Sequence, residues 1–181
     1  MSEGKIESRR VRMTRRMIAE SLLEMLESQP IDKLSIRALC ERADINRSTF
    51  YKYYGSQYDV LTDIAHDTCS RLDAYLAEVG PDENGLMLYR ILCFLQENRT
   101  LVGSLMENGA ESLLISEIMR LPNIAATIHM DRSLNESQQL QYREFFISGA
   151  YHVISGWFAR SCLEPADEIA DVIELIYRRL S

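Results

Sequence analysis

Lysine is scarce in this 181-residue sequence: Lys5, Lys33 and Lys52 are the only three, and none follows position 52. Proline is almost as sparse, and Pro30, Pro81, Pro122 and Pro165 fall between stretches of apolar periodicity rather than inside them. Helices can therefore run uninterrupted between them. Sustained apolar/polar alternation is missing, which argues against a sheet. The four cysteines, Cys40, Cys69, Cys93 and Cys162, form no C-x-x-C pair. That spacing suggests neither a zinc knuckle nor a disulfide framework, and buried thiols are expected. No run reaches the roughly 18 apolar residues of a membrane span, and the opening "MSEGKIESRRVRMTRRM" lacks the apolar segment of a secretion signal. A cytoplasmic location is expected. No acid pair, nucleophile with base, metal-ligand cluster or phosphate-cradling glycine loop stands at a credible spacing, and His66, His129 and His152 have no recognisable partners. Neither catalysis, a cofactor nor a metal is expected.

What the sequence does have is charge, unevenly spread. The formal total of -7 hides a first part, residues 1–55, with 11 Lys and Arg against 8 Asp and Glu, and a remainder with 9 against 19. Residues 5–16 alone hold six basic groups against Glu7. A basic arm, residues 1–13, at the head of an otherwise acidic chain points to a polyanion as partner, because neutralising phosphates releases condensed counterions.

Apolar residues recur at three- and four-residue spacing almost everywhere, so the chain is expected to be all-α, with about nine helices. A first helix is read from about Thr14 to Ser28, with Ile18, Leu22, Met25 and Leu26 on one face. Ser35 is a plausible N-cap for a short helix carrying Ile36, Leu39, Cys40 and Ala43. Asp44 tolerates the left-handed backbone of a tight turn, Ile45 can plug the corner, and a second short helix starts at Asn46 and runs to Tyr54. Two short helices joined in this way form a helix-turn-helix.

On a helix, "NRSTFYKYY" directs Phe50 and Tyr54 inward together, which turns Arg47, Ser48, Thr49, Tyr51, Lys52 and Tyr53 outward. That outer face carries two positive charges, hydroxyls, aromatic rings and no acid. A DNA major groove offers base-edge acceptors for Arg or Lys, thymine methyls for apolar contact, and flanking phosphates for Tyr, Thr and helix-terminal N–H groups. Ser35 to Arg37, at the start of the preceding helix, should approach the backbone too, and Arg37 is long enough to reach a base. Glu41 stands four residues from Arg37, at the spacing of a helical salt bridge.

Residues 12–64 resemble the DNA-binding domain of the TetR (tetracycline repressor) family, and "LSIRALCERADINRSTFYKYYGSQYDVL" follows its run of capped helix, turn, T-[LF]-Y-x-[HY]-[FY] helix and S-K-x-x-L-L start. The resemblance implies backbone contacts for Thr49, Tyr51 and Tyr53, groove-lining or sequence-reading positions for Arg47, Ser48 and Lys52, and a base contact for Arg37. Asp44 stands where the family has glycine, Asn46 where it has serine, and Gln57 where it has lysine. The last change removes one phosphate charge. The implied organisation is a DNA-binding domain over 1–55, a long connecting helix, and a C-terminal domain over 56–181 for dimerisation and ligand sensing. Two such domains in a dimer read a roughly palindromic operator, usually as a repressor.

After Gly55, a long helix over about 57–79 is followed by helices near 85–98, 100–108, 110–120, 137–163 and 166–180. The last two carry more apolar surface than one monomer needs, with Ile169, Val172, Ile173, Ile176 and Leu180 as a stripe. A homodimer through these two helices is expected, as a four-helix bundle. Candidate pocket residues are Met87, Tyr89, Phe94, Met106, Met119, His129, Tyr142, Tyr151, His152 and Trp157, with Met106, Tyr142, Tyr151, His152 and Trp157 taken as the ligand set. "FLQENRTLVGSLMENGAESLL" and "ISGAYHVISGWFARS" loosely resemble a TetR branch that includes regulators of dihydroxyacetone kinase operons, in which the signal can be a partner protein rather than a metabolite. The competing reading is a protein-interaction module that has lost DNA binding. The missing lysine and the acidic remainder favour it, and the Tyr/Thr/Arg/Lys face opposes it.

Overall fold

The computed structural model describes residues 9–79, 86–121 and 134–180. Lys5, Pro81, Pro122, His129 and the Leu180 side chain lie outside the described residues, as does the arm before Arg9. Nine α-helices and no strand occur among the described residues, as the periodicity predicts. The chain divides into two compact units, Met1–Ile64 and Ala65–Ser181.

In the first unit, α1 spans Arg9–Leu26 and buries Ile18, Leu22, Met25 and Leu26 at helical spacing. It starts earlier than the apolar pattern indicates, so residues 9–13 are helix rather than free arm. Arg and Met are good helix formers, and no glycine or proline interrupts the run. Pro30 precedes a short 3-10 turn, Ile31–Lys33. The next helix, α2, covers Ile36–Arg42, and the Ala38 N–H donates to Ser35 Oγ at 3.1 Å, the cap read from the sequence. Its far end closes as a Schellman turn. Ile45 N–H donates to the Cys40 carbonyl at 3.0 Å, Asp44 N–H to that of Glu41, and Asp44 adopts the left-handed φ of 51° that the turn requires.

The following helix, α3, is shorter than the expected 46–54: Arg47–Phe50 is α-helical. Beyond it the bonds tighten. Lys52 N–H reaches Thr49 and Tyr53 N–H reaches Phe50, three residues back, before Tyr54 N–H returns to Phe50. Phe50 is fully buried and Tyr54 nearly so, which fixes the opposite side of this segment as surface.

Long helix α4, Gln57–Val79, passes from the first unit into the second. The rest of the second unit is α5 (Met87–Glu97), α6 (Arg99–Glu107), α7 (Glu111–Arg120), α8 (Glu136–Ala159) and α9 (Ala166–Leu180). Asn135 and Gln138 start α8 with a reciprocal capping box. That helix ends at Ala159, short of 163, because Ser161 and Cys162 turn left-handed (φ 58° and 53°) and Cys162 N–H bonds back to the Trp157 carbonyl at 3.0 Å. One core cluster joins Leu72, Leu76, Met87, Phe94 and Ile147; a second joins Leu92, Ile154, Trp157, Ile169 and Ile173. The apolar stripe expected on α9 splits in two. Ile169 and Ile173 are buried, whereas Val172, Leu175 and Ile176 are 47%, 51% and 45% exposed.

Candidate nucleic-acid interface and ligand cavity

With Phe50 anchored in the core, Asn46, Arg47, Ser48, Tyr51 and Lys52 are exposed, and Thr49 and Tyr53 are half-buried. These residues form one continuous surface with no acidic side chain between Asp44 and Asp59. Tyr51 stands edge-on to Phe50, with ring centroids 5.6 Å apart, so its ring is held in place while the residue remains 54% exposed. Asn46 occupies the N-cap position without a side-chain cap bond. Ser35 is also exposed, its hydroxyl oxygen accepting from Ala38.

Three side chains from different elements hold this surface from behind. The Tyr54 hydroxyl donates to Asp63 Oδ2 at 2.6 Å, Arg15 Nε donates to the same hydroxyl at 3.2 Å, and Arg15 Nη2 pairs with Asp63 Oδ1. Burial first, and the bond to Asp63 second, push the Tyr54 phenol up to about 12. At α4, Asp59 accepts from the N–H of Gly55 at 2.7 Å and of Ser56 at 3.2 Å, and those bonds hold its carboxyl below the usual range. Gln57 directs its amide toward the carbonyls of Ile31 and Leu34 at 3.4 and 3.5 Å. The glutamine thus braces the 3-10 turn.

Arg37 is exposed, and its Nε donates to Glu41 Oε1 at 2.8 Å. The candidate base-reading guanidinium therefore rests against a carboxylate. Arg9, Arg10 and Arg12 are exposed along the first turns of α1, and Arg16 pairs with Glu20.

In the second unit, a cavity of about 360 Å³ opens among α4 to α9. Met106 and Tyr151 of the expected ligand set line it, as do Met87 and Phe94. The structure does not bring the other three of the set to it. Trp157 is fully buried packing, and its indole N–H donates to the Glu164 carbonyl at 2.9 Å. His152 is exposed on α8, Nδ1 lying 2.8 Å from the Ser148 carbonyl and Nε2 3.5 Å from Glu111. Tyr142 packs on the Leu72 cluster, with its buried hydroxyl unpartnered among the described residues. Tyr89 and Met119 are likewise outside the lining. Sequence reasoning missed Thr68, Cys69 and Leu72 on α4 and the Glu174–Arg178 pair on α9. Only the four-residue spacing of that pair could have drawn notice.

Among the described residues, no helix is long and apolar enough to cross a membrane, and no group of three or more His, Cys, Asp and Glu could hold a metal ion.

Compared with known proteins, residues 18–64 match the family model described as bacterial regulatory proteins, tetR family. The uncharacterized HTH-type transcriptional regulator YxbF of Bacillus subtilis (strain 168) is 20% identical over 170 residues, which are 90% of this chain and 44% of that protein. This chain thus spans less than half the length of that relative. A TetR transcriptional regulator from Streptococcus agalactiae 2603V has the same fold at 18% identity, with a TM-score of 0.68 over 93% of this chain and 96% of its own. One from Rhodococcus sp. RHA1 follows at 13% identity and a TM-score of 0.61, over 94% and 98%. The dihydroxyacetone kinase operon activator DhaS gives 16% and 0.57, over 92% and 95%. The matched segment runs from the buried face of α1 through the exposed Arg47–Tyr53 surface to the second turn of α4, and over that segment the chain is similar to the TetR family of bacterial regulatory proteins, whose fold its described helices share.

Proposed function

We propose that this chain is a homodimeric transcriptional repressor that binds a roughly palindromic operator through α3 and is switched at its second unit. The observation that carries the reading is the acid-free surface Asn46–Tyr53, set outward by the burial of Phe50 and Tyr54. In this reading, Arg47, Ser48 and Lys52 line the major groove, Thr49, Tyr51 and Tyr53 hold phosphates, and Asn46, Ser35 and Arg37 approach from the two helix N-termini. Two copies place their α3 segments about 34–36 Å apart, one turn of duplex. The exposed Val172, Leu175 and Ile176 on α9, with Leu140 and Phe145 on α8, supply the apolar surface for pairing.

The test is binding to DNA flanking the chain's own gene, followed by fluorescence anisotropy across a salt series. Arg47→Ala and Lys52→Ala are expected to relax sequence preference. Tyr53→Phe is expected to weaken specific and random DNA alike by about 1 kcal/mol, the worth of one hydrogen bond. Equal losses on both DNAs for all three variants would remove the role assignment. DhaS, an operon activator of the same fold, makes activation the second reading. A promoter–reporter assay distinguishes it by the sign of the change on deleting the gene.

A further inference from the structure

Protein interiors pack like molecular crystals, with few voids larger than a water molecule. The cavity among α4 to α9 departs from that rule, at about 360 Å³ and lined chiefly by Leu, Ile, Met, Phe and Val. An apolar space of such size gains by taking an apolar guest, because water inside it finds too few partners.

We propose that this cavity binds a small, uncharged, largely apolar molecule carrying one hydrogen-bond acceptor, with Tyr151 as its donor. The inference deepens the switch proposed above and rests on that reading only for its consequence at DNA. The charges of the lining settle the class. Arg178 and Glu174 are its two ionic groups, and they pair with each other at 2.8 Å. No guanidinium in the wall is therefore left over to meet an anion. Two further lining groups stay neutral: burial pushes the Cys69 thiol up to about 11 and raises the Tyr151 phenol, with Glu111 adding to the latter. A charged guest would lose its hydration without a counter-charge. A polyol would bury several hydroxyls, and the walls hold few groups to bond them. Tyr151 is 6% exposed and makes no hydrogen bond among the described residues, so its hydroxyl is a donor without an assigned acceptor.

The full-length chain is titrated with Prodan, a neutral naphthyl ketone whose emission reports polarity and hydrogen bonding at its carbonyl. It is titrated in parallel with 8-anilinonaphthalene-1-sulfonate, an aromatic of similar size bearing a permanent anion, and with glycerol as competitor. Saturable Prodan binding at one per chain is expected, with the sulfonate at least about tenfold weaker and glycerol without effect. Tyr151→Phe should weaken Prodan about fivefold and shift its emission further to the blue, with the thermal midpoint held. Ala150→Leu, which adds bulk at a half-buried lining position, should weaken Prodan while helical circular dichroism is kept. Sulfonate binding as tight as Prodan, competition by glycerol, or Prodan affinity and emission untouched by Tyr151→Phe would overturn the proposal. The two readings fail separately. A chain that binds Prodan but retains no DNA loses the regulator role and keeps the cavity assignment, and the reverse result removes the ligand class alone.

Discussion

Arg37 meets Glu41 at 2.8 Å, and that contact decides how freely the guanidinium is offered to a duplex. Both side chains are well exposed, so the pair adds little to stability. Its larger effect is competition: DNA must displace the carboxylate and tolerate it beside phosphates. Glu41→Gln is accordingly expected to raise affinity for random and specific DNA several-fold, most at low salt, as read by anisotropy at two ionic strengths. Asp44 presents a separate economy. Its φ of 51° is one that L residues enter at a cost and glycine enters freely. Asp44→Gly should stabilise the first unit by about 0.5–1 kcal/mol, part of the relief being offset by the freer unfolded chain; thermal denaturation monitored by circular dichroism measures it.

At the scale of elements, the helix-turn-helix rests on the Arg15–Tyr54–Asp63 bridge that joins α1, the end of the α3 segment and α4. Its proton has a clear linkage. The Tyr54 phenol stays protonated to about 12 in the folded chain, against an ordinary value of 10.0, so its contribution is complete below pH 10 and fades as the pH climbs from 10 to 12. Tyr54→Phe should lower the midpoint at pH 8 and flatten the alkaline slope relative to the parent chain. Much of this element was legible beforehand. The Ser35 cap, the left-handed Asp44, and the inward pairing of Phe50 with Tyr54 all follow from short-range rules that a sequence displays directly. The early start of α1 was not, because "RRVRM" carries helix propensity without apolar periodicity. Nor was the stop of α8, since Ser161 and Cys162 take the left-handed positions where a glycine would have marked the end. The cavity was legible only in part. A void arises from what six helices fail to fill between them, and no spacing within one helix records it: of the five residues read from the sequence, Met106 and Tyr151 border the cavity, while Tyr142, exposed His152 and packed Trp157 do not.

For the whole molecule, the proposed pairing predicts a separable assembly step. Val172 and Ile176 are about half exposed in the single chain, so charged replacements there leave the core of the second unit intact. The double variant Val172→Glu, Ile176→Glu should sediment as a monomer with unchanged helical content, and lose most affinity for a palindromic site while keeping that for a half-site. A variant that still sediments as a dimer would place the pairing surface elsewhere.

The packed indole of Trp157 has a spectroscopic consequence. It is the sole tryptophan of the chain, and it sits fully buried within the second unit. Its emission is a built-in lamp for that unit and is silent about the helix-turn-helix. Chemical denaturation followed at once by indole fluorescence and by far-ultraviolet ellipticity therefore distinguishes one cooperative melting from two, without any label attached.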